Sequence, residues 1–146
     1  METHEILCKI KSGEISVEEA EQYFRRQPFE EMGYAKLDTH RKSRSGFSEV
    51  IFCSGKADEH LLHIFGKLYE EDKEVFGTRA SQEQFELLKL KFPKVQYDSL
   101  SHIIKIEKPD KKKIGKIAIC TAGTADIPVA EEAAQTAEYF GSKVER

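Results

Sequence analysis

The sequence lacks any uninterrupted apolar run close to the roughly 18 to 20 residues that a membrane-spanning helix requires. Its first residues, Met-Glu-Thr-His-Glu-Ile-Leu-Cys, are too acidic and too short for a signal peptide. Both absences argue against insertion into a membrane and against export. We therefore expect a cytoplasmic protein with no membrane partner.

Cysteine is scarce, and its spacing excludes two common kinds of site. The three cysteines, Cys8, Cys53 and Cys120, are an odd number and form no C-x-x-C pair. This pattern argues against a disulfide framework and against a zinc ribbon. We expect three reduced thiols, with Cys120 inside a buried strand and therefore inert.

An excess of positive charge is also absent. The 23 Lys and Arg residues are outnumbered by 26 Asp and Glu residues, which leaves a net charge of −3. Such a balance gives no general attraction to nucleic acid, so we expect no nucleic-acid partner. The 146 residues, 39% of them hydrophobic, suffice for one domain, or for one small domain and part of a second.

Alternating helix and strand patterns predict an α/β fold. Capping-box signatures at Ser16–Glu19 and Ser81–Gln84 each indicate the start of a helix. The first belongs to an amino-terminal helical hairpin. We expect this hairpin to pack against the part of the chain that follows it through Ile6, Ile10, Ala20 and Phe24. After it we expect a small α/β domain with a mostly parallel sheet, built from helices at 56–69 and 81–92 and strands at 74–79, 95–97 and 103–106.

The charged run from Glu107 to Lys113, interrupted by Pro109, is typical of a solvent-facing linker. It predicts an amino-terminal α/β domain at 1–106, a linker at 107–113 and a second part at 114–146. That second part holds one strand, one helix and the start of another strand, which cannot cover both faces of a parallel sheet. We therefore expect 114–146 to be the incomplete start of a larger parallel-sheet domain.

The second part opens with the most informative loop of the chain. A small apolar run from Ile117 to Cys120 predicts a buried strand, and Thr-Ala-Gly-Thr-Ala-Asp follows it before a helix at 127–140. Asp126 is a favoured N-cap, and Pro128 suits a first helical turn. Unpaired N–H groups at such a junction commonly bind a phosphate, and the hydroxyls of Thr121 and Thr124 could donate to the same anion. The alternative is an ordinary strand-to-helix turn, because the full dinucleotide fingerprint and a P-loop lysine are both missing.

A second polar cluster lies between two short strand-like runs. It comprises Asp38, His40, Arg41, Arg44 and Glu49, with Gly46 expected to form a turn. Arginine pairs can clamp a phosphate or carboxylate, and histidine titrates near neutral pH. The same residues could equally form exposed ion pairs of little energetic value.

Two further candidates are weaker. His60 and His63 share one side of a predicted helix, but no third ligand is evident in the sequence, so we expect no metal site. Arg79 follows a predicted strand, where ligands are often met, and it could equally be solvated.

Both motifs resemble those of the LarB family, the pyridinium-3,5-biscarboxylic acid mononucleotide synthases of nickel-pincer cofactor synthesis. The loop Thr121-Ala-Gly-Thr-Ala-Asp126 and the following Pro128-Val-Ala-Glu-Glu-Ala133 resemble the segment that opens the family's catalytic domain. That domain is similar to the aminoimidazole ribonucleotide carboxylase (PurE) class, with its flavodoxin-like parallel sheet. The Asp-x-His-Arg-x-x-Arg-x-Gly-x-x-Glu-Val block is also matched, with Ser48 standing where proline is expected. The matching residues are Asp38, His40, Arg41, Arg44, Gly46, Glu49, Val50, Gly55 and Lys56.

The resemblance implies an enzyme that carboxylates the pyridinium ring of nicotinic acid adenine dinucleotide with CO₂ or bicarbonate, and releases AMP from its phosphoanhydride. It implies that Thr121, Gly123, Thr124 and Asp126 bind nucleotide, and that Asp38, His40, Arg41, Arg44, Glu49 and Lys56 form a second polar patch. The family's covalent cysteine is expected beyond residue 146, so no catalytic residue is assigned here. No tightly bound cofactor is expected, Mg²⁺ is left open, and a homo-oligomer is implied, an octamer in complete family members.

Two other functions stay open. One is an aminoimidazole ribonucleotide carboxylase or mutase of the PurE class proper, although that class lacks the 106 residues that precede the linker. The other is a non-catalytic fragment that binds only a nucleotide or a partner subunit. Turnover of the dinucleotide would separate both from the first interpretation.

Overall fold

The structure is a computed structural model that describes residues 3–24, 30–31, 36–37, 41, 45–109 and 111–146. The chain divides into two compact units, Met1–Phe47 and Ser48–Arg146. Helix and strand alternate along the chain, as expected for an α/β fold. Within the described ranges, no helix combines the length and the apolarity needed to cross a membrane.

The first unit begins with the predicted helical hairpin, α1 (Thr3–Ser12) and α2 (Val17–Phe24). The capping box before α2 is confirmed, because the Ser16 N–H donates to Glu19 Oε2 at 2.8 Å and the Glu19 N–H donates to Ser16 Oγ at 3.1 Å. Ile6 and Ala20 are buried as predicted, whereas Phe24 is exposed. A two-stranded antiparallel pair, β1 (Glu30–Glu31) with β2 (Lys36–Leu37), follows.

The second unit contains a four-stranded sheet, β3 (Val50–Phe52), β4 (Val75–Thr78), β5 (Gln96–Asp98) and β6 (Ile103–Ile106). Its strand order is β3-β4-β6-β5. β3 and β4 are parallel, but β6 is antiparallel to both β4 and β5. The expectation of a mostly parallel sheet is therefore wrong for two of these three pairings. The residues between β5 and β6 are too few for the crossover that parallel strands need.

Two helices pack with this sheet, α3 (Asp58–Asp72) and α4 (Gln82–Lys91). α3 contacts both β4 and α4 and buries Leu61, Phe65 and Leu68. The predicted capping box of α4 is present: Ser81 Oγ accepts from the Gln84 N–H, and the Gln84 side chain accepts from the Ser81 N–H. The spacing of Phe85, Leu87, Leu88 and Leu90 predicts the buried face of α4, but Leu90 is 86% exposed and Gln84 is buried instead.

The last part of the second unit is a strand–helix–strand element. β7 (Lys116–Ala118) is parallel to β8 (Lys143–Glu145), and between them lie a 3-10 turn (Thr124–Asp126) and α5 (Ile127–Tyr139). Gly141 ends the helix in the left-handed region, at φ 94°, as its sequence position predicts. α5 packs on the four-stranded sheet through Tyr139, which forms a cluster with Phe76 and Ile103.

The segment at 107–113, expected to be a linker, belongs to the second unit, and Lys111 in it contacts both Glu74 and Tyr139. The domain bounds expected from the sequence stay a prediction. β7, expected to be a buried strand, is exposed along its length, and Ile117 is 41% exposed. A strand pair covered by a single helix leaves its other face in solvent.

Candidate functional site

The four residues predicted to bind nucleotide lie together in one turn between β7 and α5. Thr121, Thr124 and Asp126 are exposed and Gly123 is half-buried. The turn follows the carboxyl end of β7 and leads directly into α5, with Pro128 in the first helical turn. The predicted strand–loop–helix geometry is therefore present, and its backbone is open to solvent.

The two threonine hydroxyls of this turn have different surroundings. Thr121 Oγ1 donates a hydrogen bond to the Gly123 carbonyl oxygen at 3.3 Å, so it stabilises the turn itself. Thr124 Oγ1 has no hydrogen-bond partner among the residues that the structure describes. Of the two hydroxyls, that of Thr124 is the one available to a ligand in this conformation.

A side chain at residue 123 would come close to Asp126, although the backbone angle of Gly123 suits any residue. Its φ of −105° suits any residue, but a Cβ there would lie 3.1 Å from Asp126 Oδ2. The Asp126 N–H donates to the Gly123 carbonyl oxygen at 3.1 Å, which closes the turn. A side chain at residue 123 would therefore push the Asp126 carboxylate away.

Asp126 does not cap α5, although the sequence predicts that it does. It directly precedes the helix, but its side chain makes no capping hydrogen bond. The 3-10 turn gives Asp126 a φ of −91° and a ψ of −8°, whereas an N-cap that bonds the N2 or N3 amide is usually extended. The carboxylate is consequently exposed and not used by the helix.

The two carboxylates of the second turn of α5 are each paired with an arginine. Glu131 accepts two hydrogen bonds from Arg146, at 2.7 and 3.0 Å, and Glu132 Oε2 lies 2.9 Å from Arg79 Nε. The first turn of α5 carries no acidic residue. Pairing reduces the repulsion that these carboxylates would exert on an anion near the start of α5.

An open, mostly apolar groove lies along α5. It is lined by Val129, Glu132, Ala133, Thr136, Ala137 and Phe140.

The second polar patch is only partly within the described residues. Asp38, His40 and Arg44 lie outside them. Arg41 is an exposed residue of the first unit, and its carbonyl oxygen accepts from Ser45 Oγ at 2.8 Å. Glu49 and Lys56 are half-buried residues of the second unit. The patch therefore remains a prediction, although the turn expected at Gly46 is present, with a φ of 79°.

The thiols also differ from expectation. Cys120 lies just beyond β7 and is exposed, as is Cys8, whereas Cys53 is fully buried. Burial raises the pKa of the Cys53 thiol to about 12, and nearby Lys56 lowers it only in part. Cys53 is thus protonated at neutral pH and unsuited to nucleophilic chemistry. Within the described ranges, no three His, Cys, Asp or Glu side chains are grouped as metal ligands would be.

Arg79 is more constrained than its place in the sequence indicates. It follows β4 with a φ of 56°, a left-handed conformation that is uncommon for a residue other than glycine. The next residue is fixed on both sides, because the Ala80 N–H donates to the His102 carbonyl and the Ala80 carbonyl accepts from Tyr97 Oη. Neither the conformation nor the pairing with Glu132 has a signal in the local sequence.

Comparison with known proteins places this geometry in context. Residues 29–108 match the family model described as the LarB/PurE-like N-terminal domain. A protein of Methanocaldococcus jannaschii, named Uncharacterized protein MJ0165, is 36% identical over 149 aligned residues. The alignment covers 94% of this chain and 57% of that relative, so the chain spans little more than half of the relative's length.

Proposed function

The chain belongs to the LarB family, and on that premise we propose that it serves an enzyme that carboxylates the pyridinium ring of nicotinic acid adenine dinucleotide. The same enzyme would hydrolyse the phosphoanhydride of the dinucleotide and release AMP, as a step in nickel-pincer cofactor biosynthesis. The role proposed for this chain is to bind the nucleotide part of the substrate at the 121–126 turn.

The observation that carries the proposal is the Asp126 carboxylate, which precedes a helix without capping it. An exposed carboxylate at that position is free to accept hydrogen bonds from ribose hydroxyls. The Thr124 hydroxyl is suited to a phosphate. The first two residues of α5 offer no N–H for it, because the Ile127 N–H donates to the Thr124 carbonyl oxygen and Pro128 has none. Gly123 leaves room for the Asp126 side chain, as the 3.1 Å separation from a Cβ at that position indicates.

No residue of this chain is proposed as the covalent nucleophile. In the family, a cysteine is expected to add to the electron-poor ring and make it reactive enough to be carboxylated. Cys53 is buried and protonated, and Cys120 lies on the exposed connection after β7. A homo-oligomer, and a second polar patch that contacts either the adenylate or a neighbouring subunit, belong to the same proposal.

Equilibrium binding tests this function. We would titrate the chain with nicotinic acid adenine dinucleotide, and separately with AMP, in a calorimeter. Saturable binding is expected, weakened at least about tenfold by Thr124→Ala because a hydrogen bond to a charged phosphate is lost. Ser99→Ala, which removes an exposed hydroxyl of the β5–β6 turn, is the matched control and should bind as the unaltered chain does.

Ligand preference separates the alternatives, because no turnover is expected of this chain by itself. When this chain is incubated alone with the dinucleotide and bicarbonate, we expect no carboxylated product. The reason is that no cysteine of this chain is proposed as the nucleophile that adds to the pyridinium ring. Product above a protein-free control would contradict that expectation. The match to the LarB/PurE-like N-terminal domain favours LarB chemistry over a PurE carboxylase proper, and preferential binding of aminoimidazole ribonucleotide would reverse the preference. Absence of nucleotide binding by the folded chain would leave the non-catalytic alternative.

A further inference from the structure

The segment after β6 crosses the carboxyl end of α5 and is held there by one lysine. Lys111 Nζ lies 2.7 Å from Glu74 Oε2, just before β4, and donates to the Tyr139 carbonyl oxygen at 3.0 Å. The same ammonium lies 3.5 Å from the centre of the Tyr139 ring. The Ile114 N–H donates to the Gly141 carbonyl at 2.7 Å, which continues the crossing. A carboxylate, a helix C-terminal carbonyl and an aromatic face all favour a cation at this point.

Tyr139 is the side chain through which α5 meets the four-stranded sheet. Its ring packs on Phe76, with ring centres 4.5 Å apart, and the residue is 3% exposed. Its hydroxyl is buried and has no hydrogen-bond partner in the described part of the chain. A buried hydroxyl that has given up its hydrogen bonds to water opposes the docking that the ring favours.

Two further polar links join α5 to this sheet among the described residues. In one of them, Gln135 Nε2 donates to Ser101 Oγ of the β5–β6 turn at 3.3 Å. Arg79 and Glu132 join the two elements near the start of α5, but their side chains are 50% and 23% exposed. The corresponding values for Lys111 and Glu74 are 21% and 11%. Solvent screens the first pair more strongly, so the carboxyl end of α5 depends mainly on Lys111 and on the Tyr139 ring.

We propose that Lys111 and Tyr139 form a latch that holds α5 on the four-stranded sheet, in which the Lys111 ammonium favours docking and the unpaired Tyr139 hydroxyl opposes it. Opening the latch frees α5 locally while β3 to β6 and α3 stay folded. Because the 121–126 turn leads directly into α5, the latch also sets where that turn lies. This last consequence rests on the proposed function, whereas the latch itself does not.

Amide hydrogen exchange of the whole chain tests the latch, with α5 (Ile127–Tyr139) as the reporter and α3 (Asp58–Asp72) as the internal reference. Lys111→Met keeps the apolar stem and removes the ammonium, so α5 should exchange at least about tenfold faster while α3 is unchanged. Lys112→Met, the control one residue along at an exposed position, should leave both helices unchanged. Tyr139→Phe removes only the unpaired hydroxyl and should slow exchange in α5 severalfold.

Glu74→Gln provides a second route should Lys111→Met fold poorly, because it keeps a hydrogen-bond acceptor and removes the charge that Lys111 meets. It too should accelerate exchange in α5 alone. Equal acceleration of α3 and α5 would show a general loss of stability and would overturn the proposal. So would unchanged exchange in both Lys111→Met and Glu74→Gln, or unchanged or faster α5 exchange in Tyr139→Phe.

Discussion

Arg79 Nε lies 2.9 Å from Glu132 Oε2, and this ion pair joins the residue after β4 to the second turn of α5. Arg79 holds this position with a backbone φ of 56°. The pair therefore connects a left-handed residue of the four-stranded sheet with the helix that carries the proposed nucleotide-binding turn.

Substitutions of Arg79 should separate the free-energy cost of its left-handed backbone conformation from the stabilisation that its ion pair with Glu132 provides. Arg79→Gly loses the pair but relieves the left-handed conformation, so the free energy of unfolding should change by less than about 1 kcal/mol. Arg79→Val also loses the ion pair, and its β-branched side chain disfavours the left-handed backbone conformation. This variant should therefore be at least about 1 kcal/mol less stable than Arg79→Gly. Urea denaturation measures both. Equal stability of the two variants would mean that the left-handed conformation imposes no cost.

The cap of α4 and the uncapped start of α5 should respond differently to alanine. Ser81→Ala removes the hydroxyl that accepts from the Gln84 N–H and should lower the free energy of unfolding by about 1 kcal/mol. Asp126→Ala should cost only a few tenths of a kcal/mol, because that carboxylate makes no capping hydrogen bond. Parallel urea titrations test the contrast. A loss at Asp126 as large as the loss at Ser81 would refute the structural assignment of the helix start.

Gly77 in β4 should tolerate no side chain. A Cβ there would lie 2.9 Å from Cys53 Sγ and 3.0 Å from Ile104 Cγ1, so Gly77→Ala should destabilise by about 1 to 3 kcal/mol. Because Cys53→Ala removes one of the two obstructing atoms, the double variant should lose less than the sum of the single losses. Thermal and urea unfolding of the unaltered chain, the two single variants and the double variant give the coupling free energy between residues 77 and 53. Strict additivity would mean that Cys53 is not the obstacle.

Stability should depend on pH through the Cys53 thiol at alkaline pH. Its pKa is raised from 9.0 to about 12 by burial, so the folded state keeps a proton that the unfolded state loses above pH 9. The resulting stabilisation is fully present below pH 9 and is lost between pH 9 and 12, at up to about 1.4 kcal/mol per pH unit. Comparing the unaltered chain with Cys53→Ala isolates this contribution from other titrating groups. Parallel pH profiles for the two proteins would contradict it.

The features that the sequence predicts correctly are mainly local ones. The two capping boxes, at Ser16 and Ser81, involve contacts within four residues, and the structure contains both. The left-handed glycine that ends α5 is likewise set by its immediate neighbours. The assembly of the proposed nucleotide-binding residues into one turn follows from their closeness in the chain.

The predictions that fail depend on what packs against an element from elsewhere in the chain. An apolar strand is usually covered on both faces, but β7 is exposed. Leu90 matches the helical spacing of a buried face, yet Gln84 is buried because it completes a capping box and donates to the Cys53 carbonyl.

The relative direction of the strands is a different case, because the length of the connection between β5 and β6 can be estimated from the sequence. The β5–β6 connection is a short turn in which Asp98 Oδ2 accepts from the Ser101 N–H at 2.8 Å. A connection of this length permits only an antiparallel pair. Loop length, taken together with strand pattern, would have predicted the mixed sheet.

Nucleotide binding at the 121–126 turn can be followed through the backbone amides of that turn. We would record ¹H–¹⁵N spectra of the labelled chain while adding AMP and then nicotinic acid adenine dinucleotide. We expect saturable shifts concentrated at Gly123, Thr124 and the first turn of α5, strongly reduced in Asp126→Asn. Saturable shifts confined to other parts of the chain, or no shifts at millimolar ligand, would contradict it.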